Sequence, residues 1–169
     1  MGILRADRFS PTVFVGLGGS GSRIVNSIAG KIRRHPNWAR FRDLIHAVCI
    51  DTNKADLAAQ RNVPESNRFL ISAFDRRAYI RRKRGQEELR PDPMVTQWAH
   101  PTYQFREAQG AGAGQIRLES RLGLYYSLEE DRAGMLRALR RIVDAATRPD
   151  NPFRDNEDRV INAMIFASV

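Results

Sequence analysis

The chain has 169 residues, 42% of them hydrophobic, and a formal net charge of +9 at pH 7, with Arg far outnumbering Lys. This length and apolar content fit one globular domain suited to anionic partners, and no apolar run approaches the roughly 20 residues that a membrane-spanning helix needs. The single cysteine, Cys49, excludes a disulfide framework and a cysteine zinc site within the chain. Because Met1–Pro11 is charged and has no apolar centre, it is not a secretory signal, and we expect a cytoplasmic protein with Cys49 as a small buried hydrophobe.

Strands and helices alternate along the chain. Apolar, β-branched runs bounded by turn residues predict strands, and apolar residues three or four positions apart predict helices. The predicted strands are Thr12–Val15, Ile45–Ile50, Arg68–Ser72 and Val160–Val169, and the predicted helices are Ser20–Arg34, Lys54–Gln60 and the long amphipathic region Gln115–Thr147. This alternation favours an α/β fold, with an open, mostly parallel, Rossmann-like sheet covered by helices on both faces.

Two regions depart from simple alternation. Phe74–Phe105 contains several prolines and a basic run, and we interpret it as an insertion with helices around Tyr79 and Gln86–Leu89. Its basic run, Arg76–Arg84, is either a solvated helix face or a contact for nucleic acid, an anionic membrane or an acidic partner. In Gln115–Thr147, Gly123 and Gly134 predict kinks or a break. The expected buried stripe there comprises Met135, Leu136, Leu139, Ile142, Val143 and Ala146.

Glycines and polar residues follow the predicted strands, where ligands bind in open α/β sheets. Gly16, Gly18 and Gly21 match a dinucleotide-binding turn, but Asp51 lies farther along than the roughly 20 residues expected of its ribose-binding acid. No G-x-x-x-x-G-K-[ST] motif occurs, which argues against a P-loop nucleotide triphosphatase. A second glycine cluster, Gly110–Gly114, suits a site for several phosphates, because glycine-rich backbone can bind phosphate oxygens through its amides.

Three segments in this order resemble the nucleotide loops of the tubulin/FtsZ superfamily. Gly18–Ile24 looks like the first loop, Cys49–Leu57 is similar to the second, and Gly110–Gln115 resembles the third, which contacts the γ-phosphate. The third continues as a GAGQ-x-R stretch ending at Arg117, as in divergent bacterial tubulin-like proteins. The resemblance implies that residues 1–169 form the N-terminal part of a GTP-binding domain, with the basic insertion at about 74–105.

That resemblance also implies a function and a set of site residues. The protein would bind GTP or GDP, with Mg²⁺ as a candidate cation, and would self-associate head to tail into filaments that hydrolyse GTP at the subunit interface. The signature loop that follows the last strand in this family would lie beyond Val169, in the rest of the domain, which could also be on another chain. Without that loop we expect little or no GTP hydrolysis, and no residue is assigned as catalytic or as a metal ligand.

By the same resemblance, the first loop would contact the α/β-phosphates and the third loop would contact the γ-phosphate. The second loop would contact the ribose, a Mg²⁺-bound water or a phosphate. Arg23 stands where FtsZ-like proteins usually have Asn and tubulins Gln, so its role, stacking on the base or contacting phosphate, stays open. The expected nucleotide-binding residues are Gly18, Gly19, Ser20, Gly21, Ser22, Arg23, Asp51, Thr52, Asn53, Gly112, Ala113, Gly114 and Gln115.

Other interpretations stay open. The chain could be an NAD(P)-binding oxidoreductase domain with Asp51 on a ribose, or a non-enzymatic adaptor that binds nucleic acid or membrane through Arg76–Arg84. Gly110–Gly114 could be a linker, and Asp51 and Asn53 could merely end a strand or cap a helix. For the nucleotide hypothesis, Gly21→Val is expected to abolish binding while leaving most secondary structure in place.

Overall fold

The computed structural model of the protein describes residues 10–85, 92–105, 116–130, 134–148 and 161–167. Within them, four parallel strands form one sheet in the order β3-β2-β1-β4. The strands are β1 (Thr12–Leu17), β2 (Ile45–Asp51), β3 (Arg68–Leu70) and β4 (Asn162–Ala167). The predicted α/β class and parallel sheet are therefore confirmed. In the register of the sheet, Leu17 lies opposite Ile50 and Ala167, so three strands end at one edge.

Seven helices are present in the described part of the chain. They are α1 (Gly18–Arg33), α2 (Trp38–Phe41), α3 (Lys54–Ala58), α4 (Arg76–Lys83), α5 (Pro93–Thr96), α6 (Arg117–Glu130) and α7 (Met135–Ala146). A single 3-10 turn, Glu65–Asn67, precedes β3. Among these helices none combines the length and apolar character needed to cross a membrane.

Helices cover both faces of the sheet. On one face, α1 and α3 bury Val25, Ala29 and Leu57 together with Cys49, which is fully buried as expected. On the other face, α7 packs against the remaining strand side chains. That core comprises Val13, Val48, Ile50, Phe69, Ile71, Met135, Ala138 and Ile142. The result is a layered arrangement in which the last four residues of β2 are buried at the carboxyl edge, whereas most of β4 is exposed.

The region around α4 to α6 has its own hydrophobic core, which the described residues of 74–105 share with α6. Its buried side chains are Phe74, Tyr79, Ile80, Val95, Ala99, Phe105 and Leu122. The interpretation of Arg76–Arg84 as a solvated face is wrong for several of its members. Arg76 is buried and pairs with Glu119 at 2.6 Å, and Lys83 pairs with Asp92 and Glu129. These acids lie on other elements, so the helix pattern alone could not reveal them.

Val143 and Gly123 differ from the sequence-based expectations, whereas Gly134 agrees with them. Val143 is 43% exposed, and Ala138 takes its place in the buried stripe of α7. Gly134 marks the predicted break, with φ +66° immediately before α7. By contrast, α6 continues through Gly123 without a break. The missing side chain of Gly123 allows the helix to contact the carbonyl of Ile71 closely. The helix expected at Gln86–Leu89 lies outside the described residues.

Candidate functional site

The candidate site lies where β1 passes directly into α1. Leu17 is extended and Gly18, at φ +69°, begins the helix, so no loop separates the two elements. A residue with a side chain costs roughly 1–2 kcal/mol more in this left-handed conformation, which explains a glycine at position 18. A Cβ at Gly18 would meet no atom within 4 Å, so this point of the turn faces open space. The turn therefore leaves room for a ligand.

The N-terminus of α1 is suited to an anion. An α-helix leaves its first N–H groups without acceptors inside the helix, and its dipole places partial positive charge there. Leu17 provides no side-chain cap, and the first turn has no acidic residue. The backbone of Gly18, Gly19 and Ser20 thus carries the donors that a phosphate group uses at helix N-termini.

Gly16 and Gly21 serve packing and not ligand access. A Cβ at Gly16 would lie 2.7 Å from the carbonyl oxygen of Gly21, and one at Gly21 would lie 2.1 Å from that of Phe166. The turn is thereby held tightly against itself and against β4. Gly21→Val would force backbone apart, so the expectation that this substitution leaves the secondary structure in place is wrong.

Asp51, the last residue of β2, carries an unsatisfied buried carboxylate oxygen. The side chain is only 5% exposed, and its Oδ1 accepts a hydrogen bond from the Asn53 N–H at 2.9 Å. Its Oδ2 has no hydrogen-bond partner among the described residues. Burial raises the pKa of Asp51, the charge of Asp56 adds to this, and polar groups of Thr52 and Asn53 oppose it. A buried oxygen without a partner lowers the stability of the folded protein unless a ligand binds it.

Asp56 is a site residue that the sequence analysis missed. A Cβ at Gly19 would lie 3.3 Å from Asp56 Oδ2 and 4.0 Å from Asp51 Oδ2, so both carboxylates border the start of α1. Asp56 Oδ1 also lies 3.7 Å from Nη2 of Arg23, in an exposed pair. Arg23 is therefore engaged with α3, on the solvent side of the site.

Asn53 and Thr52 hold the second loop in place. The side-chain oxygen of Asn53 accepts hydrogen bonds from the N–H groups of Ala55 and Asp56, at 2.9 and 3.3 Å, and so caps α3. The Thr52 carbonyl accepts a 2.6 Å hydrogen bond from Ser72, just after β3. This cap fixes Asp56 beside Gly19. An Asn followed by Asp three residues later is a recognisable capping signal that could have drawn attention to Asp56.

The remaining expected site residues are distributed as follows. Ser20 is exposed on the first turn of α1, next to Gly19. Ser22 is fully buried, and its carbonyl lies 3.8 Å from the Cys49 sulfur, so it faces the core. The third loop lies outside the described residues. It includes Gly112, Ala113, Gly114 and Gln115.

The geometry favours an anion together with a cation. A phosphate at the start of α1 would lie next to two carboxylates, which repel it unless a positive ion lies between them. In the described part of the chain, no group of three or more His, Cys, Asp or Glu side chains could hold a metal alone. Mg²⁺ commonly binds one or two carboxylates together with ligand phosphates and water, and Asp51 and Asp56 fit that pattern.

Comparison with known proteins supports one family. Neither curated proteins nor solved structures gave a match to the chain. The model of a family described as tubulin like matches residues 13–169, which extends from β1 past the end of β4. This match spans the first and second loops that form the site, and it agrees with the parallel α/β fold. The chain belongs to the tubulin-like family.

Proposed function

We propose that this chain binds a guanine nucleotide, GTP or GDP, with Mg²⁺ at the carboxyl edge of its sheet. The observation that carries the proposal is the buried, unpartnered Oδ2 of Asp51, beside the uncapped start of α1. A helix N-terminus accommodates phosphate, and an orphaned carboxylate oxygen accommodates a cation or its bound water. Membership of the tubulin-like family supports guanine as the base.

Each residue has a specific task in this proposal. The N–H groups of Gly18, Gly19 and Ser20 bind phosphate oxygens, because they lie in the first turn of α1. Asp51 and Asp56 bind Mg²⁺ directly or through its waters. When bound, the cation neutralises the charge between these carboxylates and the phosphates. Gly112, Ala113, Gly114 and Gln115 contribute the γ-phosphate contacts.

In the intact protein, we propose that nucleotide binding promotes head-to-tail self-association into filaments and that GTP is hydrolysed at the interface between subunits. Family membership supports this part of the proposal. Asp51 and Asp56 are assigned to the cation, so neither is proposed as the base that activates water. Hydrolysis therefore depends on groups outside this site.

An NAD(P)-binding function is the second candidate, and one observation favours it. Asp51 ends β2 next to the glycine turn, where dinucleotide-binding folds place the acid that binds the ribose, and the order β3-β2-β1-β4 occurs in those folds too. This alternative requires no Mg²⁺. The two candidates therefore differ in base, in phosphate number and in metal dependence.

A competition titration tests the proposal. Fluorescent N-methylanthraniloyl-GDP is bound to the protein in Mg²⁺ and is displaced with unlabelled GTP, ATP or NAD. We expect GTP to displace the probe at lower concentration than ATP or NAD, and chelation of Mg²⁺ to weaken binding at least ten-fold. Preferential displacement by NAD, with no effect of chelation, would establish the second candidate instead.

A further inference from the structure

A cavity of about 110 Å³ lies at the opposite end of the sheet, where the strands begin. We call it the basal cavity, and most of its lining is apolar. It opens between the last turns of α1 and the first residues of β2, so it is separate from the site at the carboxyl edge. Its apolar lining comprises Phe14, Ala29, Ile32, Trp38, Ile45 and Ala47.

The walls of the basal cavity are held by specific contacts. Trp38 packs edge-on against the buried ring of Phe41, with ring centroids 5.5 Å apart. On the opposite side, the N–H of Asn62 donates a 2.8 Å hydrogen bond to Asn26 of α1. The side chain of Asn67 donates to the carbonyl of Ala47 at 3.1 Å. The cavity is thus preformed, which lowers the entropy cost of filling it.

The rim of the basal cavity is basic. Arg33 and Arg42 line it, and the segment from Lys31 to Arg42 contains no acidic residue. Further exposed cations of this segment are Lys31 and Arg34. Among the residues that the structure describes, Asp43 and Glu65 are nearby acids, and Asp43 lies 3.8 Å from Arg42 in an exposed pair. Burial lowers the pKa of His46, another lining residue. The rim therefore carries net positive charge.

We propose that the basal cavity docks an acidic peptide segment of a partner protein, with one aliphatic side chain inserted into the cavity. An apolar cavity of about 150 Å³ can hold a benzene-sized group, so the basal cavity accommodates one apolar side chain. The carboxylates that flank this anchor meet Arg33 and Arg42 at the rim. Interface hot spots lie in well-packed, desolvated pockets, and arginine is enriched among them.

Charge alone would also attract nucleic acid, but the cavity favours a peptide. A phosphate backbone could contact the rim arginines, yet it has no aliphatic group to fill the space between Ile32 and Ile45. Carboxylates beside a leucine satisfy both features. The nucleotide and this peptide would occupy opposite ends of the sheet, so the inference does not depend on the proposed function.

Trp38 reports directly on occupancy of the basal cavity. The chain has two tryptophans, so Trp98→Phe leaves Trp38 as the single tryptophan, which is excited selectively at a wavelength that tyrosine does not absorb. Two short peptides of Asp, Glu and Ser are titrated into this protein, one with a central leucine and one with serine in its place. We expect the leucine peptide to shift the Trp38 emission and to bind at least ten-fold more tightly than the serine peptide, with affinity falling as salt rises.

Variants separate the anchor from the charge. Ala29→Leu fills the cavity, and Arg33→Glu with Arg42→Glu reverses the rim. Each change should lower affinity for the leucine peptide at least ten-fold, whereas Arg141→Glu, an exposed charge reversal on α7, should leave it within two-fold. Equal binding of both peptides, or no binding of either, overturns the proposal. So does tighter binding of oligothymidylate than of the leucine peptide, which would identify a nucleic-acid surface.

Discussion

Replacing Asp51 with Asn tests whether its carboxylate binds a ligand. The side chain is 5% exposed, Oδ1 keeps one hydrogen bond from Asn53, and Oδ2 has none among the described residues. Burying an unsatisfied polar group costs about 1–3 kcal/mol, and more when the group is charged. Without nucleotide, Asp51→Asn removes that charge and retains the Oδ1 acceptor. We therefore expect it to raise the free energy of unfolding at pH 7 by about 1 kcal/mol.

The pH dependence has a definite sign. Because burial raises the pKa of Asp51 in the folded state, the folded protein binds the proton more tightly than the unfolded chain does. The contribution of Asp51 to stability is therefore greatest below its ordinary pKa and is lost as pH rises through the raised value. Urea denaturation at several pH values should show this decline in the nucleotide-free protein, and Asp51→Asn should reduce it.

The same substitution should weaken binding. Losing a contact to a charged group costs about 1.5–3 kcal/mol, which corresponds to a roughly ten- to hundred-fold rise in the Kd of the GDP probe with Mg²⁺. Asp144→Asn, the same change at an exposed position on α7, serves as the control and should alter neither quantity. Loss of stability in Asp51→Asn with unchanged nucleotide affinity would refute the reasoning and make Asp51 a structural residue.

Three further predictions concern Gly19, Arg76 and Cys49. Gly19→Ala adds a methyl group 3.3 Å from Asp56 Oδ2, so we expect at least ten-fold weaker binding of the GDP probe. The free energy of unfolding should change by less than about 1 kcal/mol, which is the size of the Gly-to-Ala difference in helix propensity. An unchanged Kd would count against ligand contact at Gly19. Arg76→Met removes the cation that pairs with the buried Glu119, so the free energy of unfolding measured in urea should fall by about 3–5 kcal/mol. The double variant with Glu119→Leu should recover much of that loss. A loss below about 1 kcal/mol would contradict a structural role for the pair. Cys49 is buried and its burial raises the pKa of the thiol, so labelling by a thiol reagent should be slow in the folded protein. The labelling rate should rise with urea along the unfolding transition. Rapid labelling without denaturant would show that the core around Cys49 opens.

The β1–α1 unit could be predicted because its signals are local. A β-branched run, a glycine cluster and an apolar helical stripe follow each other within a few turns of chain. The strand predicted from sequence ends too early, at Val15, because the apolar, β-branched run stops at Gly16. Gly16 instead belongs to β1, where the missing side chain allows the backbone of Gly21 to approach. The sequence shows that a glycine is present, but only the structure shows which neighbouring atoms leave no space for a side chain.

Features that depend on distant contacts could not be predicted in the same way. Asp56 borders Gly19 only because α3 docks beside the start of α1. In the sequence, Arg76 and Lys83 belong to a basic run that contains no acidic residue, and only the fold brings Glu119 and Glu129 of α6 against them. Periodicity placed Val143 in the buried stripe, whereas the packing of α7 on the sheet selects Ala138.

Amide hydrogen exchange tests the location of the nucleotide most directly. The protein is exchanged in Mg²⁺ with and without GTP, and with NAD in parallel. GTP should protect peptides that cover Gly16–Ile24 and Asp51–Leu57, and it should leave peptides around the basal cavity, such as Lys31–Arg42, unchanged. Absence of protection in both first segments, or protection by NAD and not by GTP, would contradict a guanine-nucleotide site at the carboxyl edge of the sheet.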